Sequence, residues 1–144
     1  MDSEELAVVL HTAEEHPEDV EAQIAAAWAS DSHRTEEDAI RFYDKAWALG
    51  IPDEQRKRFI VGYGSTLRNV GRQREAVELL TAAVGEFPGY APHSAFLAPA
   101  LHTDGQHDAA MAASLTALLQ AGAAELDGYD RALTHYRNAL ESSE

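Results

Sequence analysis

The chain has 144 residues, a formal net charge of −14 and no cysteine. This length suits one ordinary domain with a buried core. The lack of cysteine excludes a disulfide framework, a thiolate nucleophile and a cysteine-based metal site. The negative charge disfavours binding to nucleic acid or to an anionic membrane, both of which need a basic surface.

No run of 18 apolar residues is present, and the first residues, MDSEEL, are acidic where a signal peptide carries positive charge. We therefore expect a soluble cytoplasmic protein.

The charge is unevenly distributed along the chain. Residues 1–55 hold 15 acidic and 3 basic side chains, and residues 75–144 hold 10 and 2, whereas residues 56–74 hold six basic side chains and no acidic one.

Apolar residues recur with helical spacing along the whole chain. The first helix has Leu6, Val9, Leu10 and Ala13 on its apolar face, Asp2 or Ser3 as its cap and Pro17 after its end. The predicted helices cover 2–16, 18–31, 35–49, 53–70, the segment between the turn at 71 and Pro88, 90–104, 107–121 and about 127–142.

The stretch from Phe59 to Pro88 has the clearest pattern, two helices joined by a tight turn at Gly71. Ile60, Tyr63, Gly64 and Leu67 form one apolar stripe. On the second helix, Ala76, Leu80, Ala83 and Phe87 form another. The small residues Gly64 and Ala76 allow two antiparallel helices to approach closely.

This stretch repeats after 34 residues, because Gly64, Leu67, Gly71, Ala76 and Ala83 are followed by Ala98, Leu101, Gly105, Ala110 and Ala117. A helix–turn–helix unit of about 34 residues is typical of tetratricopeptide repeats. Gly64, Leu67, Gly71, Ala76, Ala83 and Pro88 resemble the pattern of that family, and the chain is similar to compact bacterial members of it.

The resemblance implies an all-α fold, a right-handed antiparallel helical-hairpin solenoid of about eight helices in a single domain, 1–144. Its parts are an N-terminal half-repeat helix (1–16), repeats at 18–50, 53–88 and 90–122, and a C-terminal capping helix (125–142). The first repeat is degenerate, since Arg34 and Ser30 occupy the positions of Gly71 and Leu67. A two-residue insertion that brings Trp28 to the Leu67 position is the alternative register. Pro99 predicts a kink, or a helix that begins later than its counterpart.

No phosphate-binding, dinucleotide-binding, metalloprotease or nucleophile-elbow motif is present. The segment Gly62–Ser65 is glycine-rich but falls inside a predicted helix. His102 and His107 bracket the turn at Gly105, yet two imidazoles without a third ligand make a weak zinc site. We expect no catalytic residues, no metal and no cofactor.

In the family that the chain resembles, the first helix of each repeat lines a concave groove. The resemblance implies a partner-binding surface made by one face of these helices: Ile24, Trp28, Arg58, Val61, Ser65, Arg68, Asn69 and His102. Trp and Arg are enriched at binding hot spots. An acidic peptide, or one with a free C-terminal carboxylate, would suit the two arginines. The carboxylate clamp known in the family is not expected, because Ile24, Trp28, Gly62, Pro92 and Phe96 replace its lysine, asparagine and other basic residues.

Two alternatives remain open at this stage. Arg58 and Arg68 can instead form inter-repeat ion pairs with Glu21 and Asp31, and Trp28 can belong to the core. The favoured function is a non-enzymatic module that binds a partner protein or peptide in its groove. The alternative is a structural protein that forms a homodimer without a peptide ligand, through Tyr129, Leu133 and Tyr136.

Overall fold

The computed structural model describes residues 1–142, and this part of the chain contains helices and no strand. The α-helices are α1 (Ser3–Glu15), α2 (Val20–His33), α3 (Glu36–Leu49), α4 (Asp53–Asn69), α5 (Gln73–Glu86), α6 (Ala91–Thr103), α7 (His107–Gly122) and α8 (Asp130–Ser142). A short 3₁₀ helix covers Ala123–Leu126.

Side-chain caps fix the starts of the N-terminal helices. Asp2 accepts a hydrogen bond from the backbone N–H of Glu5 at 2.9 Å, and Glu5 accepts one from the N–H of Asp2 at 3.0 Å. This is a capping box, which satisfies N–H groups that have no partner within the helix. Thr35 caps α3 in a related way and accepts from the N–H of Asp38 at 3.2 Å.

The turns at Gly71 and Gly105 are equivalent, as the 34-residue period predicts. Both glycines have positive φ angles, 89° and 82°, which glycine adopts without strain. The N–H of the residue after each glycine closes the turn on a leucine carbonyl. Arg72 donates to Leu67 at 2.8 Å, and Gln106 donates to Leu101 at 2.9 Å. The equivalent turns set α4 against α5 and α6 against α7 as antiparallel hairpins.

The hairpins α2–α3, α4–α5 and α6–α7 stack in chain order, with α1 packed on α2 and α8 on α7. The first helices of successive hairpins also touch, α2 with α4 and α4 with α6. The architecture is the predicted right-handed helical-hairpin solenoid. Its core consists of two clusters, one centred on α2–α4 and the other on α4–α7.

The contact between α4 and α5 depends on Gly64. A Cβ atom at this position would lie 2.8 Å from both Cγ and Cδ1 of Leu80, closer than carbon atoms approach without displacement. Gly64 is buried, as is Leu80. The glycine therefore lets the two helices come together, as predicted from its small size.

In the first repeat, Ala27 and Ser30 are fully buried at the positions of Gly64 and Leu67. Trp28 keeps 37% of its surface exposed, so it does not replace Leu67 in the core. The structure thus has the ungapped register, and the insertion register does not form.

In the C-terminal third, α6 has the late start that Pro99 predicts, whereas α8 departs from its predicted bounds. α6 begins at Ala91, four residues later than α4 by the 34-residue period, and Pro99 lies within it. After α7, Asp127 has a positive φ of 50° and Gly128 one of 84°. This left-handed segment delays the start of α8 to Asp130, instead of the predicted position near 127. No residue of α8 is buried.

Residues His107–Leu126 are long and apolar enough to span a membrane by composition, with a mean hydropathy of 1.3. In the structure 17% of this window is buried, and α7 packs against α6 and α8.

Candidate partner-binding surface

Two of the predicted residues, Trp28 on α2 and Arg58 on α4, come together at a surface depression of about 240 Å³. Asp31 and Ser32 complete its lining. Trp28 offers an exposed indole face. Arg58 is exposed and makes no hydrogen bond or ion pair within residues 1–142. The depression thus combines an available aromatic surface with an available positive charge.

A second depression, of about 580 Å³, lies between α6, α7 and the end of α4. Its lining is mostly apolar: Arg68, Ala95, Ala98, Pro99, His102, His107, Ala110, Met111 and Ser114. The Nδ1 atoms of His102 and His107 are 2.9 Å apart, a hydrogen-bonding distance. The two imidazoles on either side of the Gly105 turn are therefore in contact. Within residues 1–142, no three histidine, aspartate or glutamate side chains lie close enough together to hold a metal ion.

Neither predicted ion pair between repeats forms. Arg68 donates from Nε to the carbonyl of Pro99 at 3.2 Å and to Thr103 Oγ1 at 3.0 Å, so it connects α4 to α6. Asp31 accepts from the hydroxyl of Tyr43 at 2.7 Å. Glu21 accepts from Gln55 at 3.2 Å. Arg58 is therefore left without the carboxylate expected for it.

The remaining predicted residues divide into surface and core. Val61 and Ser65 are partly buried on α4, and Asn69 is exposed, where it donates to Glu36 at 3.4 Å. Ile24 does not lie on this surface, because only 1% of it is exposed and it belongs to the core. The prediction for Ile24 is wrong since α1, α3 and α4 all pack around α2 and bury more than one of its faces.

A polar network behind the surface was not predicted. Asp44 on α3 accepts hydrogen bonds from Tyr63 and, at 2.8 and 3.1 Å, from Arg72. Burial acts to raise the pKa of Asp44, but the bonds from Arg72 and Tyr63 outweigh it and lower the pKa. Burial, followed by the bond to Asp44, raises the pKa of Tyr63. The network thus ties α3, α4 and the turn before α5 together.

Aromatic rings form a rigid base between α3 and α4. The centroids of Tyr43 and Tyr63 are 5.7 Å apart with nearly parallel planes, and those of Trp47 and Phe59 are 6.3 Å apart. Arg56 lies 4.8 Å from the centroid of the Trp47 ring and forms an ion pair with Glu86 at 2.6 Å. This packing holds α4, the first helix of the central hairpin, against α3.

Stacked antiparallel hairpins with equivalent turns define a protein of the helical-repeat class. The family model described as tetratrico peptide repeat matches residues 20–140, and the chain therefore belongs to the tetratricopeptide-repeat family. Members of this family are typically non-enzymatic interaction modules.

Among solved structures, the chain is similar to one titled MamA MSR-1 C2, with a TM-score of 0.69 and 16% sequence identity. The likeness covers 80% of this chain and 64% of that one, so this chain spans slightly less than two thirds of the length of that relative. At this identity the likeness shows the fold alone. No curated protein matches the sequence.

Proposed function

We propose that the chain is a non-enzymatic interaction module that binds a segment of a partner protein along the first-helix surface. This surface consists of the two depressions described above and the faces of α2, α4 and α6 between them. The proposal rests on one observation: Trp28 and Arg58 line the same depression. Trp28 is exposed there, and the side chain of Arg58 has no acidic partner in residues 1–142. Tryptophan and arginine together are the side chains that most often dominate binding energy at interfaces.

The charge pattern favours an acidic partner segment. Acidic residues outnumber basic ones 25 to 11, so a basic side chain that meets no carboxylate stands out. A carboxylate of the partner would supply Arg58 with the charge-assisted hydrogen bonds that the protein itself does not. The apolar lining of the second depression would accept an uncharged side chain of the same segment.

The test compares Arg58→Glu with Arg131→Glu as a matched control. Arg131 lies on α8, is exposed, and has no partner in the described part of the chain, so both variants change the net charge equally. Immobilised wild type and variants are exposed to native lysate at low and moderate salt. We expect Arg58→Glu to lose a captured protein that wild type and Arg131→Glu retain.

Trp28 provides a second readout. In a Trp47→Phe background, Trp28 is the remaining tryptophan, and its fluorescence should change when the captured partner is added. Identical capture by both arginine variants, with unchanged Trp28 fluorescence, would exclude this surface as the binding site.

Self-association is the second candidate function, and the exposure of α8 favours it. Tyr129 and Tyr136 keep 69% and 58% of their surface exposed, while Leu133 is partly buried. Light scattering during size-exclusion chromatography distinguishes the two functions. A monomer at all concentrations excludes the homodimer, whereas a dimer that Tyr129→Ser/Tyr136→Ser dissociates supports it.

A further inference from the structure

A separate cleft lies between α1, α2 and α3, away from the first-helix surface. It consists of two adjoining depressions of about 430 and 230 Å³ that share Glu14, Arg41 and Phe42. We call it the N-terminal cleft and define it by its lining: Leu10, Ala13, Glu14, Gln23, Ser30, Arg34, Asp38, Arg41, Phe42, Asp44 and Lys45. No predicted partner-binding residue is among them.

The floor of this cleft is polar where the next repeat is apolar. Gln23 and Ser30 occupy the positions that Ile60 and Leu67 hold in the central repeat, 37 residues further along. Both are buried, with exposures of 1% and 0%. A short hydroxyl side chain thus stands in place of leucine beneath the smaller depression.

The polar floor is incompletely hydrogen-bonded. Gln23 Nε2 donates to the carbonyls of Ala13 and His16, at 2.9 and 3.0 Å, which fixes the amide orientation and leaves Oε1 without a donor. Ser30 Oγ also has no partner in the described structure. A buried polar atom left unpaired costs about 1–3 kcal/mol. Apolar packing of the kind found in the central repeat would avoid this cost, so the polar floor indicates a role other than stability.

Basic side chains are concentrated at the cleft. Residues 1–55 contain only three, Arg34, Arg41 and Lys45, and all three line it. The side chains of Arg34 and Lys45 form no ion pair or hydrogen bond within residues 1–142. Arg41 binds Glu14 at 3.2 Å, but both side chains are more than half exposed, so this pair opens at little cost.

The acidic residues at the cleft are largely compensated. Both oxygens of Asp44 bind Arg72, Glu14 pairs with Arg41, and Asp38 accepts from the hydroxyl of Thr35 at 3.2 Å. Arg72 also pairs with Glu75 at 2.7 Å, so the cleft lining is close to neutral, with Arg34, Arg41 and Lys45 against three carboxylates. A neutral lining still contrasts with the overall composition, in which acidic residues outnumber basic ones 25 to 11.

From these observations we propose that the N-terminal cleft binds a small organic anion with at least two anionic groups. Arg34, which follows α2, binds one group in the smaller depression and Lys45 binds another in the larger. Arg41 lines both depressions and lies one turn before Lys45 on α3. Gln23 and Ser30, 1% and 0% exposed, lie beneath the ligand and form the polar floor of the site without contacting it. Carboxylates and phosphates share this chemistry, and the test separates them.

The test is calorimetric titration of the full chain with citrate and, separately, with pyrophosphate. Sodium chloride at matched ionic strength is the control for general screening. We expect saturable binding of at least one of the two probes. Binding of citrate alone identifies a polycarboxylate, and binding of pyrophosphate alone identifies a phosphate compound. If neither probe binds beyond the chloride control, the proposal is wrong.

Variants then locate the site. Each unpaired cation contributes charge-assisted hydrogen bonds, so Arg34→Gln and Lys45→Gln should each weaken binding about fivefold or more. Arg131→Gln removes an equally exposed arginine on α8 and should leave the affinity within about twofold of wild type, since rim charges far from a site contribute little. Equal losses in Arg34→Gln and Arg131→Gln would overturn the proposal.

Ser30→Leu offers an independent readout that does not depend on charge. It introduces the residue of the central repeat beneath the smaller depression and removes an unpaired hydroxyl, and the larger side chain must displace the atoms that enclose Ser30. We expect unchanged helical circular dichroism and loss of anion binding. A folded Ser30→Leu protein that binds the probe like wild type would show that the cleft is not the site. If it fails to fold, the charge variants decide.

Discussion

At the scale of single residues, the spacing between paired helices is set by matched side-chain sizes. Gly64 faces Leu80 in the central repeat. After 34 residues the corresponding pair is Ala98 and Ser114, where a larger residue on one helix accompanies a smaller one on the other. The two pairs are not equal in volume, since Ala98 and Ser114 together have one side-chain heavy atom fewer than Gly64 and Leu80. The closest fit in the repeats is therefore the one between Gly64 and Leu80.

This contact gives a direct prediction for Gly64→Ala. The new methyl group meets Leu80 on a well-packed interface, and overpacking of this kind destabilises a protein by about 1–3 kcal/mol. Gly85→Ala is the matched control, because a Cβ atom there meets nothing within 4 Å. In a helix, that change should be neutral or stabilising by up to about 1 kcal/mol. Urea unfolding followed by circular dichroism measures both, and equal effects would exclude the packing role of Gly64.

Asp44 gives a prediction about pH. Its pKa in the folded protein lies below the ordinary value of 3.8, so its interactions stabilise the fold above that pH and are lost as the pH falls through the folded pKa. Asp44→Asn should cost about 1 kcal/mol at pH 7, since the side chain is partly exposed. We expect the difference from wild type to shrink towards zero as the pH falls below 3.8 and through the lower pKa of the folded protein. A difference that does not change with pH would argue against the Asp44–Arg72 ion pair.

At the scale of helices, the sequence predicts most of the structure because apolar periodicity and turn glycines act locally. The bounds of α1 to α7 follow from the spacing of residues such as Ile60 and Leu67 and from Gly50, Gly71 and Gly105. The start of α8 could not be predicted in this way. It depends on Asp127 in a left-handed conformation, which only a few non-glycine residues adopt.

The surface was less predictable than the helices. The period correctly places Trp28, Arg58 and Arg68 on neighbouring first helices. It does not determine which of several nearby acceptors a long side chain chooses, so Arg68 binds Pro99 and Thr103 instead of Asp31. The sequence contains one indication of the N-terminal cleft, which is Ser30 at a position that is leucine in the central repeat. The cleft itself could not be predicted from it, because its walls depend on how α1 and α3 pack.

At the scale of the whole molecule, charge opposes folding. With 25 acidic and 11 basic residues, most carboxylates have no cation to pair with, and their repulsion favours expanded states. Salt screens this repulsion, so we expect the melting temperature to rise by several degrees between 20 and 300 mM sodium chloride. The same salt should weaken capture of an acidic partner at Arg58.

A charge-reduced variant provides the control for this effect. Glu18→Gln/Glu78→Gln/Glu125→Gln removes three exposed carboxylates that have no partner in residues 1–142. Its melting temperature should depend less on salt than that of wild type. A wild-type melting temperature that falls with added salt would mean that ion pairs, such as Arg56 with Glu86, outweigh the general repulsion.

The equivalent turns at Gly71 and Gly105 make the chain extensible. Residues 72–105 begin just after the turn at Gly71 and end at the turn at Gly105. If a second copy of this segment were inserted after Gly105, the new junction would join Gly105 to Arg72. The same Gly–Arg dipeptide already occurs at Gly71 and Arg72. The peptide junctions would all be native ones. The new helix pair would place Leu80 against Ala98 instead of Gly64, and a single change of Ala98 to glycine would restore the original fit. Duplication of this segment, in evolution or in the laboratory, would thus give a solenoid that is one repeat longer.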